Sequence, residues 1–519
     1  MSNPIKRMKI LSHRLILFIK IVSLFKNIFT KYRTHIFPDL KTMSVKKFLI
    51  AAFMLTFIQQ GFPQAQSKKI PMPSPSQVVW QDMEYYFFMH FGPNTFTDLE
   101  WGKGTENAEI FDPKDMDCEQ WCRIAKEAGA KGIIITAKHH DGFCLWPSKY
   151  STHTVRESSW KNGKGDVLKE LSAACKKYGL KFGVYLSPWD RNHPDYGTPK
   201  YNDVFINMLN EIFANYGPIW ELWWDGANGE GPNGKKQVYD FTRFEKIIRK
   251  LSPNTIIFSD IGPDARWCGN ENGFVGKTNW NTLDTAGFKR GLGAPPTDTL
   301  NQGNIYGKNW IPAECDVSIR PGWFYHKKED SLVKTPHQLF EIYLKSVGRG
   351  ANLILNVPPD GRGLVTQYDS ASLVGFKKLR TESFRHNLSK KGTGYFMPHN
   401  GRRITKNLND GNAKSFETIA LPALQSMGLK FDQPQKINCI VLKEDLLNGQ
   451  NCIAFKIRLM NKQNEVIKEI DGTTIGHKRI ITFPETDASM ISLSVVKQKG
   501  ATTISEIETY LIDNELIEK

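Results

Sequence analysis

The chain has 519 residues, 40% of them hydrophobic, 24% charged and 12% aromatic, with a formal charge of +16. That balance excludes a disordered, collagenous or polytopic chain, and at roughly 100–250 residues per domain the length suggests two domains, one of them a large barrel. The charge does not mark a nucleic-acid binder: through Ala65, eleven Lys or Arg face a single acid, Asp39, so +10 sits at the front and +6 remains for the rest, which requires no polyanionic partner.

The front segment reads as a targeting sequence starting at Met43. Lys46 and Lys47 form a basic region, Phe48 to Ile58 an apolar run, and Gly61 to Gln66 a turn-prone stretch suited to cleavage after Ala65. The run is too short to span a bilayer, and no Cys follows it to carry a lipid. Residues 1–42 then look like an over-extended start, with a second apolar patch at Leu15 to Phe25 leaving a membrane anchor as the other reading. The expectation is an exported product, periplasmic or secreted, with no stable membrane insertion after cleavage.

From Tyr85 to about Val357, short β-rich runs alternate with amphipathic stretches, the rhythm of βα units around a parallel sheet. Strands are predicted at Tyr85–His90, Gly132–Ala137, Phe182–Leu186, Ile219–Trp224, Ile256–Ser259, Ile311–Cys315 and Asn352–Asn356. Helices are predicted at Asp117–Glu127, Asp166–Tyr178, Asn202–Tyr216, Phe241–Leu251 and Pro336–Val347, several with Gly at the stop position. No Gly-rich phosphate turn opens any of these helices, which favours a (β/α)8-like barrel over a doubly wound sheet. The barrel domain is placed at 66–388, after a targeting region at 1–65.

Beyond Leu388 the texture changes. Ser389 to Gly394 reads as a linker, and Lys436–Lys443, Ile453–Met460 and Ile491–Val496 alternate at the period of strands. A C-terminal β-sandwich domain at 389–519 is expected. The eight cysteines lack the density of a disulfide scaffold, and Cys118 and Cys122 have no matching second pair for zinc.

The polar residues that stand out fall at the C-terminal ends of the predicted barrel strands, where such barrels carry their chemistry. His90 ends the first, His139, His140 and Asp141 the second, Tyr185 the third and Asp225 the fourth. The imidazoles with Asp141 would suit a metal, but the spaced helical pair of a hydrolytic zinc site is missing. The alternative is a set of imidazoles that hydrogen-bond sugar hydroxyls, with Trp101, Trp224 and Trp323 offering faces for the apolar side. Glycoside cleavage needs two carboxylates. Asp225, rigidly presented before Gly226, fits the one that acts at the anomeric carbon. Glu271, among aromatics and glycines on a later loop, fits the proton donor, with partial desolvation raising its pKa. Glu100, Glu106 and Glu314 are rivals for that second role.

These residues lie in motifs that resemble a known family. The motifs are His90-Phe91-Gly92, Asn94 to Gly102, Lys138 to Phe143, Trp223-Trp224-Asp225-Gly226, Gly269-Asn270-Glu271, Ser318 to His326 and Ser346 to Asn352. Seven separated motifs in order, across roughly Trp80 to Asn387, are similar to the α-L-fucosidases of glycoside hydrolase family 29, and within it to the 1,3/1,4-α-L-fucosidase subgroup. The resemblance implies retention through a covalent fucosyl-enzyme intermediate, with Asp225 as nucleophile and Glu271 as acid/base. It places His90, His139, His140 and Tyr185 at the fucose hydroxyls, Trp323 near the sugar methyl, and Glu100 and Trp101 at the site. It implies fucosylated oligosaccharides or glycoconjugates as partners and no cofactor or metal. A catalytically silent carbohydrate-binding protein would lack one of the two carboxylates, and a metal-dependent hydrolase would lose activity to a chelator.

Overall fold

A computed structural model describes residues 70–398 and 400–518. The targeting region read at 1–65 lies outside the described residues. Eight parallel strands close a barrel in sequential order: β1 (Tyr85–Met89), β2 (Gly132–Lys138), β3 (Lys181–Leu186), β4 (Glu221–Trp223), β5 (Ile256–Ser259), β6 (Ala265–Trp267), β7 (Ala313–Ser318) and β8 (Asn352–Asn356). Helices cover it: α1 (Cys118–Glu127), α2 (Val167–Tyr178), α3 (Lys200–Asn215), α4 (Phe241–Leu251), α5 (Pro336–Lys345) and α6 (Gln367–Ser383).

Local chemistry sets these elements. Asp166 caps α2 by accepting from the Lys169 amide at 3.0 Å, and Gly179, at φ +70°, turns the chain out of the helix where a side chain would be strained. Along the strands, alternate residues face opposite ways. Tyr86, Phe88, Ile134, Tyr185, Trp223, Ile256, Phe258, Ala265 and Ile354 fill the barrel interior, while Tyr85, Phe87, Ile133, Ile135, Leu222 and Ile257 pack under the helices.

The sequence concealed one strand and shifted another. β6 is three residues long and centred on a charged residue, so no apolar run announced it. Arg266 points out of the barrel, fully buried, and its guanidinium donates to the carbonyls of Leu300 and Ile311 and to Asn279 Oδ1. β7 begins two residues later than Ile311 and runs to Ser318, because Glu314, Asp316 and Ser318 are polar on the inward face, against the usual pattern. The helix α6 was also missed. Asp369 in its first turn holds the Arg320 guanidinium through two oxygens, with Nη2 to Oδ2 at 2.8 Å and Nε to Oδ1 at 3.0 Å, both side chains fully buried. Losing either partner would strand a buried charge, at about 3–5 kcal/mol.

The residues read as a linker form a short 3-10 turn, Leu388–Lys391, that runs straight into β9 (Gly392–Met397). The C-terminal domain is one continuous antiparallel sheet of eight strands, among them β10 (Ser426–Glu444), β11 (Cys452–Met460), β12 (Val466–Gly472), β13 (Arg479–Gln498) and β14 (Thr502–Tyr510). The long strands β10 and β13 pair along their length. Register shifts at Lys430/Gln435 and Ile437/Cys439 let β10 bond β9 with its first half and β14 with its second. Leu429, Ile440, Phe455, Leu493 and Ile507 share the enclosed core. This domain docks on the barrel at the N-terminal ends of β1 and β8, where Lys478 pairs with Glu84 and Ile480 packs on Gly348. Those contacts are at the end opposite the strand-end residues described next.

Candidate active site

The inward alternation delivers the site. His90 continues the inward row Tyr86, Phe88; Asp225 continues Glu221, Trp223. In β2 a register shift between Thr136 and Lys138 inserts one extra residue. It turns Lys138 outward to Asp190, at 3.3 Å, and aims His139 into the barrel mouth. The same turn brings the ring centroids of His139 and His140 within 4.2 Å of each other, so these chain neighbours converge on the site. His139 lies 5.7 Å from His90 and 5.9 Å from Tyr185, ring to ring.

The protonation states follow from the hydrogen bonds. Asn356 donates through Nδ2 to Ser318 Oγ and to the Trp323 carbonyl, which leaves Oδ1 to accept from the His90 amide and from His90 Nδ1 at 2.8 Å. Ser187 Oγ donates to the Trp189 carbonyl and accepts from His140 Nδ1 at 2.8 Å. Both imidazoles therefore carry hydrogen on Nδ1 and offer an Nε2 lone pair to the site. Burial pushes His90 down to about 3 and His140 down to about 4, the latter despite the nearby Asp225 carboxylate. Burial also holds His139 well below its ordinary value, and its Nδ1 is buried without a partner. His140 Nε2 at 3.8 Å from Asp225 Oδ2 is then no ion pair, since the imidazole is neutral. The cluster is a set of neutral polar groups suited to hydroxyls rather than to an anion.

Asp225 accepts from Tyr185 Oη at 3.2 Å and from the Ala227 amide at 2.7 Å. Burial and the adjacent Asp225 charge raise the Tyr185 phenol well above its usual value, so it stays a donor. Glu271, on the loop after β6, is exposed rather than desolvated among aromatics, and it accepts from Trp323 Nε1 at 3.2 Å. Trp323 in turn packs 5.1 Å from His90. Its loop is pinned by Glu100, which accepts from the Trp323 amide at 2.8 Å, the Phe324 amide at 3.2 Å and His326 Nε2 at 2.5 Å. Glu100 is thus occupied in holding the loop. Trp101, 57% exposed, stands edge-on to His140 at the rim, at 5.7 Å.

Three expected residues lie elsewhere. Trp224 is fully buried, packed 5.4 Å from Phe241 in the layer between barrel and α4, because it alternates with Trp223. Trp223 is the inward ring, stacked on Phe258 at 4.2 Å and on Tyr185 at 5.3 Å. Glu314 is sealed in the barrel floor, where it accepts from Trp223 Nε1 and Tyr86 Oη, and burial raises its pKa beside Glu221. Glu106 caps a turn through the Lys103 and Gly104 amides. Sequence reading missed Ser187, Asn356 and Asp260, although each sits at or just past the C-terminal end of a predicted strand. Among the described residues no group of three or more His, Cys, Asp or Glu is placed to hold a metal ion.

The His326 clamp gives a pH signature. Burial alone would lower its pKa, but hydrogen bonds to Asp98 and Glu100 raise it above the ordinary 6.5. A raised folded-state value contributes stability that is fully present below the unfolded value and lost as pH rises through the folded one. Between about pH 6 and about pH 9, Tm of the wild type is expected to fall relative to that of His326→Gln. A difference in Tm that stays flat with pH would contradict the charged clamp.

The family model described as Alpha-L-fucosidase matches residues 76–378. Alpha-L-fucosidase 1 of Arabidopsis thaliana is 39% identical over 450 residues, covering 85% of this chain and 88% of its own. The chain belongs to the α-L-fucosidase family. A glycoside hydrolase family 29 member from a rumen bacterium matches at 40% identity and TM-score 0.75, over 86% of this chain and 78% of that one. A Ruminococcus gnavus fucosidase of family 29, solved in complex with fucose, matches at 30% identity and TM-score 0.79, over 88% of this chain and 98% of that one. In this α-L-fucosidase the family match spans every strand of the barrel and every strand-end residue described above, and stops before the C-terminal sheet.

Proposed function

We propose that this α-L-fucosidase works by retention, with Asp225 as nucleophile and Glu271 as acid/base, and that it releases α-1,3/1,4-linked fucose from glycans. The observation that carries the reading is that Asp225 and Glu271 come from β4 and the loop after β6 while sharing one connected site. Tyr185 links Asp225 to the neutral imidazoles, and Trp323 links Glu271 to the same cluster. In the first step Glu271 protonates the glycosidic oxygen as Asp225 attacks the anomeric carbon. In the second, Glu271 takes a proton from water, which displaces Asp225. His90, His139 and His140 hold hydroxyls throughout, and the hydrogen bonds on Asp225 keep its carboxylate aimed.

The linkage preference rests on the motif resemblance, and a branch-specific site must engage sugars beyond fucose. Comparison of kcat/KM on fucosylated oligosaccharides should favour α-1,3 and α-1,4 linkages over α-1,2 by at least about 10-fold. Comparable values would discard the preference and leave the fucosidase intact. We read the chain as exported on the sequence from Met43 to Gln66. N-terminal sequencing of material exported by the native host should find a start near Gln66, and a cytoplasmic product retaining residues 1–42 would overturn this.

A further inference from the structure

We propose that Asp260 is a leaving-group subsite residue, whose carboxyl hydrogen-bonds a hydroxyl of the sugar to which the fucose is attached. The inference rests on the retaining reading above. Asp260 directly follows β5, whose inward row is Ile256 and Phe258. Two residues on, Asp260 takes the same inward direction. The register pairs Trp223 with Phe258, and the Trp224 amide donates to the Phe258 carbonyl at 3.1 Å, so the next inward pair along the two strands is Asp225 and Asp260. Contact at this level is close: a Cβ on Gly226 would fall 2.0 Å from Asp260 Oδ2. Glycine at 226 is what lets the second carboxyl approach.

Three features separate Asp260 from a structural carboxylate. First, among the described residues no donor reaches its oxygens, whereas His90 is held by Asn356, His140 by Ser187 and Asp225 by the Ala227 amide. Burial and the neighbouring Asp225 charge push it up to about 6, which is how an unpartnered carboxyl beside a carboxylate behaves. Second, Asp260 is half-buried and its oxygens are not sealed from solvent, so a ligand hydroxyl can reach them in place of water. Third, its position assigns the ligand. The hydroxyl-binding groups His90, His139, His140 and Tyr185 belong to β1, β2 and β3, on one side of Asp225, whereas Glu271 follows β6 on the other. Asp260, just past β5, stands between nucleophile and proton donor, where the departing sugar must lie.

The test compares an α-1,3- or α-1,4-fucosylated trisaccharide with an aryl α-L-fucoside, whose leaving group has no sugar hydroxyls. The variants are Asp260→Asn and Asp260→Ala, with Tm as the fold control. The ratio of kcat/KM for the trisaccharide to that for the aryl fucoside is expected to fall at least 10-fold in Asp260→Ala, mainly through KM, in line with the loss of one buried hydrogen bond to a sugar hydroxyl. A ratio unchanged in both variants overturns the inference. So does a slowed aryl fucoside that azide rescues, because Asp260 would then be acting on the reacting bond. If a variant fails to fold, product inhibition of the wild type decides: the defucosylated disaccharide should bind more tightly than its isomer lacking the hydroxyl nearest the linkage, and equal binding of every deoxy isomer counts against Asp260. A wild type that releases fucose from the trisaccharide with inversion would refute the parent reading instead, so the two failures are distinguishable.

Discussion

Asp225→Ala is expected to lower kcat by at least about 10⁴-fold on every α-L-fucoside, because removing a covalent nucleophile removes the reaction path rather than one contact to it. The fold should survive, since the side chain is 27% exposed and at the barrel rim. Fucose should still bind. His90 and His140 keep the Nε2 lone pairs that Asn356 and Ser187 orient, and neither orienting bond involves Asp225. The measurement is paired: turnover by aryl fucoside assay and fucose affinity by calorimetry. Loss of both together would mean that Asp225 organises the pocket instead of reacting.

Glu271→Ala should discriminate between substrates by their leaving groups. A natural glycan departs as an alkoxide of high pKa and needs the proton, so its kcat/KM should fall by about 10²–10⁴-fold. An aryl fucoside with an acidic phenol needs little help in the first step and should stall in the second, where Glu271 would activate water. Azide needs no general base, so it should restore turnover and give α-fucosyl azide, the configuration that follows from two inversions. Equal slowing of both substrates with no azide effect would remove Glu271 from the role. Glu100 and Glu106 are already engaged by protein donors and Glu314 is sealed in the barrel floor, so the search would move to carboxyls at the mouth.

The parts of this molecule that sequence disclosed are those in which periodicity and burial agree. Strands such as Ile256–Ser259 and Asn352–Asn356 appear where their apolar runs are, and α4 matches its amphipathic stretch residue for residue. β6 stayed hidden because its central residue is an arginine that finds its partners in distant carbonyls, which no local pattern encodes. Alternation alone would have sorted Trp223 from Trp224: counting back from Asp225, the odd positions face inward. The convergence of His139 and His140 was not legible, because it depends on a register shift against β3 that exists only once both strands are paired. Asn356, Ser187 and Asp260 were within reach of the rule that located His90 and Asp225, had it been applied to every strand end and to amides and hydroxyls as well as to imidazoles.

The central claim is that this fold presents Asp225 as the atom donor to a fucosyl-enzyme. Incubation with a 2-deoxy-2-fluoro-α-L-fucosyl donor bearing an activated leaving group slows both steps but leaves formation faster than breakdown, so the intermediate accumulates. Mass spectrometry of the digested protein should then find one fluorofucosyl group, on the peptide spanning Trp223-Trp224-Asp225-Gly226, with fragmentation placing it on Asp225. A label on any other carboxylate, or slow turnover with no covalent adduct, would contradict the account.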